Sequence, residues 1–494
     1  MSQTPVRTRI APSPTGEPHV GLAYTAMVNM ALIHQGGGGQ FILRIEDTDQ
    51  TRSNAASEQS IYDCMRWLGI TFDESPEVGG PHGPYRQTER REIYAKYAAE
   101  LEEKGHAFTC FCTPERLDTM RLLQKKQGKK PMYDGHCLNL SKEDVAKRKA
   151  AGEPHVLRMK MPTEGDCTFT DGIYGQISIP WADVDMQVIM KADGLPTYHL
   201  AVVVDDHLMG ITHIVRGEEW IPSTPKHIKL YEYFGWEMPP TYHLPVLRNP
   251  DRTKLSKRKN HTSLRWFQGQ GYLPQAIINF LGQSFVRFAE GEEEVMPFTD
   301  FLTKFDAAVV SKAGAVFDLG KLDWFNGRWL REKLSDEEYL AHVTAWANEG
   351  DKLKQALLLA RSRIVKLAEL PTWVGPVFQD DFHLTAESFA GLKSTPEQTA
   401  AILAAVLERV EKMPDFTPSA IWDELKALEG PLGLKARVIT APLFIAIGGK
   451  AQGLPLTDSM ALIGKSLTRA RLKAALALFQ QTTAEDVQPA EEPC

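Results

Sequence analysis

The stretch from Val6 to Asp47 leaves this chain little freedom in what it can fold into. Val6, Thr8 and Ile10 alternate with Arg7 and Arg9 in a strand pattern that stops at Pro12. Val20, Tyr24, Met27, Val28, Met30, Ala31 and Ile33 then recur at helical spacing over 20–34. Gly36 to Gly39 end that helix, because glycine takes a left-handed C-terminal position without strain. Phe41 to Asp47, FILRIED, reads as the next strand. Strand, loop, helix, strand is a βαβ unit, which requires a parallel sheet. Such units hold ligands where the first strand ends and the helix begins. The tetraglycine lies at the other end of the helix and is punctuation, so a nucleotide belongs to 12–21.

Farther along, HLAVVVDDHL (199–208), ITHIVRGEEW (211–220) and HLPVL (243–247) read as later parallel strands of the same sheet. Between the two groups of strands lies a basic, cysteine-bearing, Gly/Pro-rich region. From about 330 the pattern turns helical, with amphipathic runs at 354–370, 397–413 and 459–479. The expected fold is an α/β, Rossmann-type parallel-sheet domain in two halves, 1–108 and 191–248, interrupted by an inserted domain at 109–190. A further region at 249–330 precedes an all-α region at 331–480 and a disordered tail at 481–494.

Composition enters at three points. The net charge of −7 argues weakly against a nucleic-acid partner, yet 121–131 (RLLQKKQGKKP) and 251–265 (DRTKLSKRKNHTSLR) are basic islands on an acidic background. Two such islands favour a polyanion. The first residues lack a basic then apolar leader, and no run approaches the roughly eighteen apolar residues that span a membrane, so no membrane association is expected. Six cysteines in 494 residues fit a reducing cytosol better than a disulfide scaffold.

Two short constellations carry the chemistry. In Pro12-Ser13-Pro14-Thr15-Gly16-Glu17-Pro18-His19-Val20-Gly21 the prolines stiffen the loop and Gly16 permits a positive φ. Gly21 admits a nucleotide close to the backbone, and His19 can donate to a phosphorane oxygen. In Lys254-Leu255-Ser256-Lys257-Arg258 two lysines on a loop bring ammonium groups to a triphosphate. Either alone reads as a turn or a solvated basic loop. Together they resemble the HIGH and KMSKS signatures of class I aminoacyl-tRNA synthetases. RIAPSPTGEPHVG with LRIEDTD, GPYRQTERREIY (83–94), DGLPTYHLAVVVDDHLMGITHIVRGEEW (193–220) and KLSKRKNHTSL (254–264) are similar to the glutamyl-tRNA synthetases of bacterial type. The resemblance is dense over 1 to about 330 and looser beyond. Leu22 replaces the second histidine of HIGH, as is usual in that branch, and PSPTG disfavours the glutaminyl branch, which carries PEPNG.

That resemblance implies ATP and L-glutamate as substrates, Mg²⁺ bridging ATP oxygens, tRNA(Glu) as acceptor, a cytoplasmic location and a monomer. It gives His19, Lys254 and Lys257 catalytic roles, with ATP held by 12–16, 19–21 and 254–258. It assigns glutamate to Arg9, Ser13, Glu46, Tyr198 and Arg216, with Arg9 forking the side-chain carboxylate and Glu46 taking the ammonium. The acceptor end of tRNA is expected on 109–190 and the anticodon on 331–480, where Arg363 would tell the third anticodon base. Cys110, Cys112 and Cys137 have spacing open to zinc, and in relatives that bind it the fourth ligand is a histidine, here Asn139, or a tyrosine, here Tyr133. Cys64 and Cys167 read as small buried hydrophobes. SMALIGKS (459–466) ends like a phosphate loop but lacks the first glycine and sits in a helical pattern, so it is set aside.

Overall fold

The computed structural model describes residues 5–253, 255, 262–348, 352–379 and 382–485. These form two compact units, one from 1–268 with 272–334 and the other from 269–271 with 335–494.

In the first unit, β1 (Val6–Ile10), α1 (Val20–Gln35) and β2 (Gly39–Leu43) make the expected βαβ unit, with β1 and β2 parallel. β2 starts two residues earlier than FILRIED suggests, because Gly39 pairs with Val6 so closely that a Cβ there would overlap the Val6 carbonyl oxygen. Gly37 turns the chain with φ +79°. Ala23, Met27 and Ala31 of α1 are fully buried, packed in one core with Phe41, Leu43, Ile277, Leu281 and Phe285. Truncating Met27 to alanine would cost about 2–5 kcal/mol.

Helices α2 (Ala55–Trp67) and α3 (Arg91–Glu103) precede the inserted region. There β3 (Ala107–Cys110), α4 (Pro114–Lys126), α5 (Lys142–Ala150), β4 (Val156–Met159), β5 (Asp166–Asp171), β6 (Gly175–Pro180) and β7 (Val188–Met190) follow in turn. β3, β4 and β7 form an antiparallel sheet. The β5–β6 hairpin instead joins β9 (Thr241–Leu244) through a parallel pairing of Asp171 with Thr241, giving the order β6-β5-β9-β8, where β8 is Ile214–Gly217.

Residues 199–208 are not a strand. They lie in helix α6 (Tyr198–Leu208). Leu200, Ala201, Val202, Val203 and Val204 are all buried, and five consecutive buried apolar residues show no period to separate a helix from a buried strand. Nor does one ladder run from β1 to β8: the Thr212 N–H donates to the Arg7 carbonyl, 2.9 Å, while the Arg7 N–H turns to the Thr212 hydroxyl. Helix α7 (Thr224–Phe234) then packs beside α6.

The second unit is helical. Pro396–Lys412, Ala436–Gly448 and Leu456–Glu485 share a core of Ile402, Leu403, Val406, Leu443, Ala446 and Leu472. The run at 354–370 is broken: a helix spans Lys352–Ala360 and a short turn follows at Leu367–Glu369. Gly464, inside SMALIGKS, breaks the last helix with φ +84°. That helix continues to Glu485, into the segment expected to be a disordered tail, and 486–494 lie outside the described residues. Among the described residues no helix is long and apolar enough to cross a membrane.

Candidate active site

The loop 12–19 delivers His19 to the N-terminus of α1, where its Nδ1 accepts the Gly21 N–H at 3.0 Å. That acceptor role puts the ring proton on Nε2, the donor a phosphate oxygen needs. Gly21 is required here for a reason that the sequence hides: a Cβ would lie 2.7 Å from His19 Cε1 and displace the ring. Gly16 has the expected positive φ, +155°. Backbone bonds from Val20 to Thr262 (2.9 Å) and from Leu264 to Pro18 (3.0 Å) fasten the segment after the basic run against this loop. Lys254, Ser256, Lys257 and Arg258 lie outside the described residues. Leu255, between them, donates its N–H to the Leu247 carbonyl at 3.0 Å.

Two adjoining cavities share His19, Gly21 and Thr25. The first, about 340 Å³, is lined by Arg9, Ser13, Glu46, Tyr198, Arg216 and Trp220 together with the rest of the loop. The second, about 280 Å³, is lined by Val20, Gly217, Leu244, Val246, Leu255 and Thr262. Residues of the first constellation line both cavities, and Leu255 of the second constellation lines the second cavity. All five residues expected to hold glutamate line the first cavity.

The charges in that cavity are arranged unequally. Arg9 is buried and already forked: Nε and Nη2 donate to the two Asp206 oxygens at 3.0 and 2.8 Å, and Nη1 donates to the Val215 carbonyl. The fork expected to meet a ligand therefore holds Asp206 of α6, and only the outer Nη edge is left to the cavity. Arg44 also binds Asp206, at 2.8 Å, so Asp206 bridges two arginines, and Asp205 and Glu46 lie 3.6 and 3.5 Å from Arg44. Arg216, 6 % exposed, differs: Nε donates to His243 Nε2 (3.0 Å), Nη1 to His227 Nδ1 (2.7 Å) and Nη2 to the Thr224 hydroxyl (2.9 Å). It has no carboxylate partner among the described residues. Tyr198 stacks on Trp220 at 3.9 Å and closes one wall.

Glu46 is the opposite case. Burial pushes its carboxyl up to about 7, which Arg44 and Arg9 offset only in part. Its Oε1 accepts no hydrogen bond among the described residues and sits 3.5 Å from Arg44. A buried cation without an anion and a buried carboxylate short of a donor face one cavity. Such groups are costly unless a ligand completes them.

Sequence reasoning missed Asp206, Thr224, His227 and His243. Arg216 and His243 occupy paired positions on β8 and β9, a relation that only the fold reveals. Away from these cavities, Cys110, Cys112 and Cys137 bring their sulfurs within 4.8 Å of one another. Tyr133 Oη lies 3.4 and 3.5 Å from the Cys110 and Cys112 sulfurs. Cys64 and Cys167 are buried, as expected. Arg363 is exposed in the turn after Lys352–Ala360.

A parallel-sheet domain whose ligand cavities meet at the first helix N-terminus, followed by a helical unit, is the architecture of a class I synthetase. Residues 5–324 match the catalytic domain of tRNA synthetases class I (E and Q), and residues 337–476 match an anticodon binding domain. The chain belongs to this class I family, in its glutamate and glutamine branch. It is 56 % identical over 478 residues to the glutamate–tRNA ligase of Agrobacterium fabrum, covering 97 % of this chain and 98 % of that one. It is 51 % identical over 476 residues to the glutamate–tRNA ligase of Pseudomonas aeruginosa, covering 96 % of each. A crystal structure of a glutamate tRNA ligase from Elizabethkingia meningosepticum in complex with its amino acid aligns with TM-score 0.65 at 32 % identity, over 96 % of this chain and 100 % of that one.

Proposed function

We propose that the protein is a glutamate–tRNA ligase, which activates L-glutamate with ATP and passes the glutamyl group to a terminal ribose hydroxyl of tRNA(Glu). The observation that carries this reading is Arg216: a buried guanidinium that lines a cavity and has only neutral partners among the described residues. The side-chain carboxylate of glutamate is the missing anion, assisted by the outer edge of Arg9. The ammonium pairs with Glu46, which the ligand holds ionised. Ser13 and Tyr198 contribute polar contacts. This arrangement turns the α-carboxylate toward the second cavity, where adenosine packs among Leu244, Val246 and Leu255.

In the first step the α-carboxylate attacks the α-phosphorus of ATP and pyrophosphate leaves. Positioning and charge neutralisation do most of this work. His19 Nε2–H, set by the Gly21 contact, donates to an ATP phosphate oxygen. Residues 12–16 and 20–21 hold the nucleotide, Lys257 stabilises charge on the transferring phosphate and Lys254 assists, with Ser256 and Arg258 in the same loop. ATP arrives with Mg²⁺ on its phosphates. In the second step the tRNA hydroxyl attacks the acyl carbonyl and AMP leaves.

Helix α4 presents Lys125 and Lys126 on an exposed basic surface suited to acceptor-end phosphates. The second unit takes the anticodon, with Arg363 at its third base. Cys110, Cys112, Cys137 and Tyr133 fit a structural zinc, since the Cys112–Cys137 sulfur spacing of 3.6 Å suits one tetrahedral ion. Against burial, hydrogen bonds from Tyr133, the Cys112 backbone and Arg158 lower the Cys110 thiol, whereas burial pushes the Cys112 thiol up to about 11, where a bound cation would have to draw off its proton. The zinc would tie β3 to the 133–137 loop. The protein acts as a cytoplasmic monomer. ATP–pyrophosphate exchange with each amino acid, with tRNA(Glu) present, tests the function: exchange driven by glutamate is expected, and exchange driven by another amino acid alone would overturn it. Charging of tRNA(Glu) against tRNA(Gln) then fixes the acceptor.

A further inference from the structure

Behind Arg216 lies a chain of buried imidazoles that the proposed reaction does not itself use. Asp171 Oδ2 meets His243 Nδ1 at 2.7 Å, and His243 Nε2 accepts the Arg216 Nε–H at 3.0 Å. On the other side Arg216 Nη1 lies 2.7 Å from His227 Nδ1, and His227 Nε2 lies 3.1 Å from His199 Nδ1. His199, His227, His243 and Asp171 are all buried. A guanidinium has no acceptor atom, so both nitrogens facing it must be unprotonated. That single fact fixes the rest. His243 carries its proton on Nδ1 and donates it to Asp171. His227 carries its proton on Nε2 and donates it to His199.

A protein usually satisfies a buried arginine with a carboxylate, as Asp206 does for Arg9 and Arg44. Here the acceptors are imidazole nitrogens and the Thr224 hydroxyl, which fix the guanidinium in place without neutralising it. Asp171, the carboxylate at the end of this chain of bonds, is separated from Arg216 by the His243 ring. Burial, reinforced by the positive Arg216 and Lys226, keeps His227 neutral well below its ordinary range, and burial likewise keeps His243 down.

We propose that His227 and His243 are positioning and specificity-determining residues. They hold Arg216 through neutral acceptors so that its charge stays uncompensated and selects a carboxylate over the isosteric carboxamide of glutamine. This rests on the reading of Arg216 as the site of the glutamate side chain. A carboxamide can satisfy the geometry of the guanidinium but not its charge. The selectivity therefore resides in what the protein withholds from the arginine.

The charge can be changed with the shape kept. Asn Oδ1 stands close to where His Nδ1 stands, so His227→Asn retains a neutral acceptor, and His227→Asp differs from it by one negative charge. Both lose the bond to His199 equally. In ATP–pyrophosphate exchange with tRNA(Glu) present, His227→Asp should raise the glutamate KM about tenfold or more above that of His227→Asn, the scale on which one adjacent charge shifts an ionic equilibrium. The ATP KM and kcat should match between the two, and the glutamate-to-glutamine ratio of kcat/KM should fall in the aspartate variant. Equal glutamate KM values, or a lower one for aspartate, would overturn the proposal. If the wild-type protein itself activates no glutamate, the functional reading fails instead, before the variants are compared. Should either variant fail to fold, ¹⁵N-histidine NMR of the wild type at about pH 7 decides. His227 protonated on Nε2 and His243 on Nδ1 are expected, and imidazolium at either would overturn it.

Discussion

Glu46 makes the site's electrostatics measurable through pH. Its carboxyl is pushed from an ordinary 4.5 up to about 7, first by burial, with Arg44 and Arg9 pulling down and Asp206 and Asp205 pushing up. Between those values the folded protein binds more protons than the unfolded chain, so stability falls as pH rises. At about 1.4 kcal/mol per tenfold change in proton affinity, this carboxyl costs the fold about 0.8 kcal/mol at about pH 5 and about 3.3 kcal/mol at about pH 8. Glu46→Gln keeps the shape and removes the titration. Relative to wild type, the variant should therefore gain about 2.5 kcal/mol between about pH 5 and about pH 8. Urea unfolding followed by tryptophan fluorescence at both pH values measures the difference, and carboxylates common to both proteins cancel. Function should move the other way. Below about pH 7 the wild-type glutamate affinity should fall about tenfold per pH unit as Glu46 protonates, while the variant stays weak and flat. A stability difference between the two proteins that does not change with pH would refute the buried carboxylate.

Three further outcomes follow from the geometry. Gly21→Ala, whose Cβ would crowd His19 Cε1 at 2.7 Å, should lower kcat about 100-fold with little change in stability, measured by exchange kinetics and thermal melting. An unchanged kcat would remove His19 from phosphate binding. Lys257→Ala should reduce turnover strongly with little change in glutamate KM, since the contact forms mainly in the transition state; activity within about twofold of wild type would exclude that role. Metal analysis of mildly purified protein should find about one zinc per chain, and Cys137→Ser should abolish it. No zinc in the wild type would overturn that site.

The first βαβ unit was legible because each of its signals is local: alternation in β1, helical spacing in α1 and glycines where the chain turns. That order alone pointed to the start of α1, where the two cavities lie. α6 was not legible, since His199 to Asp206 are all buried and leave no exposed face to reveal the helical period. The partners of the site residues were hidden for a different reason. Asp206 is 197 positions from Arg9, and His243 is 27 from Arg216, so only the assembled sheet and helices bring them together. The motif reading named residues that line the cavity but not their buried partners. It expected Arg9 to fork the substrate, whereas the fold gives that fork to Asp206 and leaves Arg216 without a carboxylate partner among the described residues.

A crystal structure with a non-hydrolysable glutamyl-adenylate analogue tests the central claim most directly. The account predicts the side-chain carboxylate within about 3.2 Å of Arg216, the ammonium against Glu46 and the adenine among Leu244, Val246 and Leu255. A side-chain carboxylate remote from Arg216, or an adenine in the cavity of Arg9 and Tyr198, would contradict it.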